Sequence, residues 1–218
     1  SVFKKPTIII PVGSLEQHGA HLPVTTDSDI ITEIASRLGK KCSFIVFPTI
    51  SYGISFEHEP LFNTSITHQQ FGNYLEDIIS SLSKNGIKSI IILNGHHGNA
   101  SVVERLMSYV TDPKLIQLQG AKRMMTSQDG RNFLMKRTKQ RQARFQEEFR
   151  GVNLKAYSYW HFLHPDFDHA GFVETSLMLA ITDKVKMKRA KKGLIITNMA
   201  EADKEKLKKR ATRPGGFP

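Results

Sequence analysis

The chain is poor in cysteine, tryptophan and long apolar runs, and each shortage removes a class of protein. Cys42 is the one cysteine in 218 residues, so no internal disulfide can form. A reducing cytoplasm is the expected compartment. Any metal ion would be held by nitrogen and oxygen, because thiolate sites need several cysteines. No run of about 18 apolar residues is present, so no helical membrane span and no membrane partner are expected. No signal-peptide pattern opens the sequence. Basic residues are scarce in the first half only. Residues 1–120 hold 9 Lys/Arg against 10 Asp/Glu, and residues 121–218 hold 22 against 10. The net charge of +11 thus comes from the second half. That half suits nucleic acid, anionic lipid or a phosphorylated substrate, and equally a solvated lysine-rich surface.

What is there is an alternation of strand and helix patterns. Apolar, β-branched runs at Thr7–Ile10, Ser43–Phe47, Ser89–Leu93, Lys114–Gln119 and Lys155–Trp160 predict strands. Helical spacing covers Ile30–Leu38, Thr67–Asn85, the stretch from Asn99 to about Val110, and about Val173–Ile181. Thr67 with Gln70 reads as a capping box, and Gly86 as a stop. Arg131–Phe149 reads as a basic helix with Leu134, Phe145 and Phe149 on one face. This rhythm predicts an α/β fold: a three-layer sandwich with a mainly parallel sheet flanked by helices. At 218 residues a single domain, 1–218, is the default, with the lysine-rich tail from about residue 184 left unassigned.

Three strand ends are rich in metal-ligand residue types. Pro11–Asp29 carries Glu16, His18, His21, Asp27 and Asp29 between Gly13, Gly19 and Pro23. Glu16 and His18 alternate by two and can face one way from extended backbone. Asp27 is expected to return after a loop, and Asp29 to cap a helix starting at Ile30. His96-His97 follows the Ser89–Leu93 strand, and Asp168-His169 precedes the last helix. In a parallel sheet the carboxyl ends share an edge, where ligands bind. Mixed imidazole and carboxylate donors converging there point to a metal centre. The loop from Ser51 to Thr64, with Glu57 and His58, is long enough to cover such a site.

Gly13-Ser-Leu-Glu-Gln-His-Gly-Ala-His-Leu-Pro23 with Thr26-Asp27 resembles a signature of the creatininase (creatinine amidohydrolase) family. Asn94-Gly-His-His-Gly-Asn99 and His169-Ala-Gly-Phe-Val-Glu-Thr-Ser-Leu-Met-Leu179 resemble two more. Tyr52-Gly53, Glu57-His58 and Ser158-Tyr-Trp160 fall in the same order, so the likeness runs over about residues 7–183. It implies a two-metal amidohydrolase cleaving a non-peptide C–N bond in a cyclic amide or formamide. Glu16, Asp27 and His96 would hold one divalent ion, and His18, Asp27 and Asp168 the other, with Asp27 bridging. Zn is the first choice, with Mn or Fe also suited. His169 would be the general acid at the departing nitrogen. His97, Glu57, His58 and Trp160 are candidate substrate contacts. Glu174, in the first turn of the last helix, is expected to serve that helix's dipole. The resemblance also implies a homo-oligomer, a hexamer by family habit.

The sequence departs from creatinine hydrolases at Gly98, where they carry Glu, and at Pro165, near which they carry Trp. The family's usual Pro-Gly-Thr is replaced by Phe62-Asn63-Thr64, where Asn can stand in for Gly at positive φ. A phosphorylated formamidopyrimidine is therefore the expected substrate type. Lys122–Arg150, with nine Lys/Arg against three Asp/Glu, would supply the phosphate contacts. Creatinine hydrolysis proper is one alternative. An inactive scaffold holding RNA or protein through the basic half is the other, which the intact ligand set opposes.

Overall fold

The computed structural model describes residues 6–59, 61–111, 140, 143–163 and 168–192. In chain order these form β1 (Thr7–Val12), β2 (Leu15–Glu16), α1 (Thr26–Cys42), β3 (Ile45–Val46), β4 (Asn63–Thr64), α2 (His68–Lys84), β5 (Ser89–Asn94), α3 (Ala100–Thr111), α4 (143–148), β6 (Asn153–Ser158) and α5 (Phe172–Ile181). Short 3-10 turns lie at Phe56–His58, His97–Asn99, Tyr159–Phe162 and Met187–Arg189.

Successive side chains of a strand point to opposite faces, so the apolar run of β1 serves two cores. Ile8, Ile10 and Val12 enter the first core, and Ile9 enters the second. In β5 Ile90 and Ile92 join the first, while Ile91 and Leu93 join the second. Phe71, Leu75 and Ile79 of α2, Val102, Val103 and Leu106 of α3, and Phe145 of α4 close the first core. Ile30, Ile31 and Ala35 of α1 and Met178 of α5 close the second. Helices thus cover both faces of the sheet, the three-layer arrangement that the strand–helix rhythm predicts. Among the described residues no helix is long and apolar enough to cross a membrane.

The sheet runs β3-β1-β5-β6 and every pairing in it is parallel. Val12 lies opposite Asn94, and Asn94 opposite Ser158, so three adjacent strands end at one edge. Just past that edge β2 and β4 pair antiparallel, with Glu16 opposite Asn63.

Several boundaries differ from the sequence reading. Helix α1 starts at Thr26, a turn earlier than its apolar spacing indicates. Asp27 therefore sits inside a helix rather than on a returning loop. Asp29 is no cap: it accepts a hydrogen bond from Thr25 Oγ1 at 2.8 Å within the same turn. Strand β3 keeps only two residues, because Ser43 takes a left-handed conformation (φ 55°) to end α1. Asn63 stands in β4 and is not among the described positive-φ residues, so it is not a glycine substitute. Thr67 Oγ1 does accept from Gln70 N at 3.2 Å, and Gly86 follows at φ 83°. Strand β6 stops at Ser158, leaving Tyr159 and Trp160 in a 3-10 turn. The strand expected at Lys114–Gln119, Leu134, Pro165 and most of Lys122–Arg150 lie outside the described residues. The start of the tail has a place: Lys186 N donates to His21 O at 2.8 Å, and Val185 packs on the second core.

Candidate metal centre

The edge where β1, β5 and β6 end gathers ligand-type side chains from four segments. Past β1, the chain turns at Gly13 and Ser14 and enters β2, which carries Glu16; His18 follows two residues on. The first turn of α1 presents Asp27, with Ser14 Oγ donating to Asp27 Oδ2 at 3.0 Å. Past β5, Asn94 Oδ1 accepts from His96 N at 3.0 Å and fixes the turn that aims the imidazole. Gly95 allows that turn to press on α1, since a Cβ there would come within 2.6 Å of Ile31 Cβ. The start of α5 supplies His169 and Glu174.

The inner residues are almost fully buried: Glu16 1% exposed, His18 0%, Asp27 2%, His96 3% and Glu174 0%. Asp27 stands between two imidazoles. Its Oδ1 lies 3.1 Å from His18 Nε2, and its Oδ2 2.9 Å from His96 Nδ1. Glu174 Oε2 approaches His18 Nε2 at 3.5 Å, and Glu16 Oε2 approaches His96 Nε2 at 3.4 Å. His18 Nδ1 donates to Glu16 O at 3.1 Å, which turns Nε2 toward the carboxylates. A backbone acceptor behind one ring nitrogen is how ligating histidines are oriented.

Three buried carboxylates need compensating positive charge. Among the described residues, every ion pair that Glu16, Asp27 and Glu174 make is to a histidine. Burial pulls the His96 pKa down, but the Asp27 carboxylate beside it outweighs this and carries it up to about 9. Burial likewise opposes charge on His18, and the hydrogen bonds and charges of Asp27 and Glu174 still raise it well above its ordinary value. Burial would raise the Asp27 carboxyl, yet the two imidazoles hold it below the usual range. Glu174 goes the other way, because its burial outweighs His18.

Do these residues fit a divalent ion? Glu16 Oε2 is buried without a hydrogen-bond partner. Glu16, His18 and Asp27 offer ligand atoms within 4.8 Å of one another, and so do His18, His169 and Glu174. Nitrogen and oxygen donors in this mixture suit Zn, Mn or Fe(II). The set fits.

His58 and His169 complete the cluster. The His169 ring lies 4.5 Å from that of His18 and 4.5 Å from that of His58. His58 Nε2 is 3.0 Å from Glu16 Oε1. The Gln17 side-chain amide lies 3.0 Å from His58 Nδ1 and 3.1 Å from His169 Nε2, one N–H for each ring. Burial and the charges of His18 and His58 push His169 down to about 4, so its imidazole is neutral at pH 7.

Of the expected ligands, the structure brings together Glu16, His18, Asp27 and His96. Asp168 is turned elsewhere. Its two oxygens accept from Val173 N at 3.2 Å each, holding the start of α5, and it joins none of the ligand groupings among the described residues. Glu174 stands beside His18 instead. Sequence reasoning missed it because a carboxylate in a helix's first turn already has a sufficient electrostatic role. The signal was its place in the His169–Leu179 motif, where one helical turn carries it back toward the site. His58, expected as a substrate contact, pairs with Glu16, and Glu57 lies 3.9 Å from His96 Nε2. His97 and Trp160 pack on each other, ring centres 5.4 Å apart. His21 bonds Thr175 Oγ1 at 2.9 Å, tying its loop to α5 rather than to a ligand.

A parallel α/β sandwich with buried carboxylates and imidazoles at its strand ends defines a fold with a candidate metal-binding cluster at the sheet's carboxyl edge. Residues 2–216 match the family model described as "Creatininase: Creatinine amidohydrolase", and the chain belongs to the creatininase family. It is 28% identical over 182 residues to the creatinine amidohydrolase of Pseudomonas putida, covering 80% of this chain and 64% of that protein. It is 35% identical over 105 residues to the mycofactocin precursor peptide peptidase of Mycolicibacterium smegmatis, covering 45% and 42%. To the 2-amino-5-formylamino-6-ribosylaminopyrimidin-4(3H)-one 5'-monophosphate deformylase of Methanococcus maripaludis it is 33% identical over 104 residues, covering 45% of each. The chain thus spans less than two thirds of the length of each of these relatives. Among solved structures, one described as "Creatininase Mn" superposes with a TM-score of 0.65 at 22% identity, covering 88% of this chain and 71% of that one. Another, a mutant creatininase of "Zn-Zn type", gives 0.63 at 24%, covering 87% and 70%. These establish the fold.

Proposed function

We propose that this chain is a metal-dependent amidohydrolase that cleaves an amide-type C–N bond at the cluster around Asp27. The observation that carries this reading is the buried Asp27 carboxylate, with one oxygen on His18 and the other on His96. Glu16, Asp27 and His96 would hold one ion, and His18, Asp27 and Glu174 the other. When bound, two such ions lower the pKa of a water molecule and polarise the amide carbonyl. Asp168 holds the helix start that presents Glu174 and His169.

His169 moves the proton. With Nε2 beside the Gln17 amide at 3.1 Å and Nδ1 facing Glu16 Oε1 at 3.7 Å, it is the group placed to serve the departing nitrogen, the role that the family resemblance implies. Taking the proton of the attacking water at Nε2, it becomes an imidazolium that can hand that proton to the departing nitrogen. Meanwhile the Gln17 backbone carbonyl, 3.1 Å from Nε2, and Glu16 Oε1, 3.7 Å from Nδ1, hold the ring in place.

The named relatives support the reaction class, since a creatinine amidohydrolase, a deformylase and a peptidase each act on an amide-type bond. For the substrate we favour a phosphorylated formamidopyrimidine, because Gly98 carries no carboxylate and the second half of the chain is basic. Assembly into a homo-oligomeric ring belongs to the same proposal, and light scattering tests it. The functional test sets metal-loaded protein against a formamidopyrimidine ribose phosphate, creatinine and a short peptide. Formate release from the first supports the reading. Turnover of creatinine or peptide alone contradicts the substrate, and turnover of none contradicts the activity on these amides.

A further inference from the structure

We propose that Glu57 is a metal ligand on the Glu16–His96 side of the centre, supplied by the loop after β3 to a corner where Gly98 has no side chain to offer. This rests on the metal-dependent reading above. Glu16, Glu57 and His96 offer ligand atoms within 4.8 Å of one another. Glu57 Oε1 faces His96 Nε2 at 3.9 Å, too far for a hydrogen bond. Glu16 Oε2, buried and without a hydrogen-bond partner, faces the same nitrogen at 3.4 Å. Two donors on one tetrahedral ion, each about 2.0–2.2 Å from it, lie roughly 3.4 Å apart. Both separations are of that order. They suit a shared cation better than direct contact.

Position 98 shows why the carboxylate comes from the loop. A Cβ on Gly98 would run into the backbone carbonyl of Ile54, and would lie 2.5 Å from His96 Nε2 and 2.8 Å from Glu57 Oε1. The loop thus occupies the space into which a side chain at 98 would grow. It is also pinned to the centre by its neighbour, since His58 Nε2 lies 3.0 Å from Glu16 Oε1. Glu57 and His58 share one 3-10 turn, so the bond that fixes His58 fixes Glu57 beside it. His96 Nε2 also donates to Ile54 O at 2.7 Å, so ligation through this nitrogen requires that proton to leave.

The test compares Glu57→Gln with the unsubstituted protein and with Glu59→Gln, an exposed carboxylate on the same loop. Dissociation constants for Zn and Mn are read by chelator competition on the full chain. In Glu57→Gln one of two ions should bind at least about tenfold more weakly, with the other unchanged. Glu59→Gln should bind both normally. The Glu57 side chain is half exposed, so the metal-free variants should melt together. If Glu57→Gln holds both ions as tightly as the unsubstituted protein, or loses no more than Glu59→Gln, the assignment is overturned while the metal reading stands. If the unsubstituted protein binds no ion, the metal reading falls and this assignment with it.

Discussion

Glu174 Oε2 stands 3.5 Å from His18 Nε2, with both side chains wholly buried, so helix α5 meets the loop after β2 at a charged contact. Glu174→Gln keeps the shape and removes the charge. Metal content should fall from about two ions per chain to about one, read by elemental analysis after gel filtration. Asp168→Asn should keep both ions. Its cost falls on the start of α5, about 0.5–2 kcal/mol by analogy with other caps, read as a lower melting temperature. The opposite pattern would restore Asp168 as the ligand.

Asp27→Ala should strip both ions, because among the described residues it removes the one carboxylate that reaches both His18 and His96. Each imidazole also loses the partner that holds its proton. Titration calorimetry should show no binding in the range where the unsubstituted protein saturates. Retention of one ion would make Asp27 a terminal ligand rather than a bridge.

The metal-stripped protein should lose stability as pH rises. His96 has its pKa raised to about 9 in the fold against an ordinary 6.5. Its contribution is therefore complete below about pH 6.5 and disappears as pH climbs through about 9. Melting temperatures of chelator-treated protein between about pH 6 and 10 should fall across that window. Adding metal at about pH 7 to weakly buffered protein should release protons, since ligands must be deprotonated to bind. A flat profile with no proton release would contradict the charge assignment.

His169→Gln should leave metal content intact and lower kcat by about 10²–10⁴-fold, the span typical of a positioned acid–base group. A loss confined to KM would make the residue a binding contact.

Much of the fold is legible because buried parallel strands read as continuous apolar runs: Thr7–Ile10 and Ser89–Leu93 were both recognisable that way. Boundaries were not. The polar first turn of α1 hid its start, since Asp27 and Ser28 are buried for the site and not for the core. Glu16, His18 and His96 were legible as ligand types at strand ends, and the structure joins them through Asp27. Asp168, expected beside His18, accepts from Val173 N while Glu174 stands at His18, because residue type alone does not show which carboxylate turns toward His18 and which toward the backbone of its own helix. The role of the 56–58 turn depends on the close approach of Ile54 to Gly98, a contact between segments distant in the chain.

If the buried carboxylate–imidazole cluster is a two-metal centre, divalent ions stay with the protein through purification or return on reloading. The most direct measurement is the metal content of protein purified without added metal and again after reloading with Zn or Mn, by elemental analysis against protein concentration. Close to two divalent ions per chain, at least after reloading, is the expected result. Protein that stays folded yet holds no ion under either condition would contradict it.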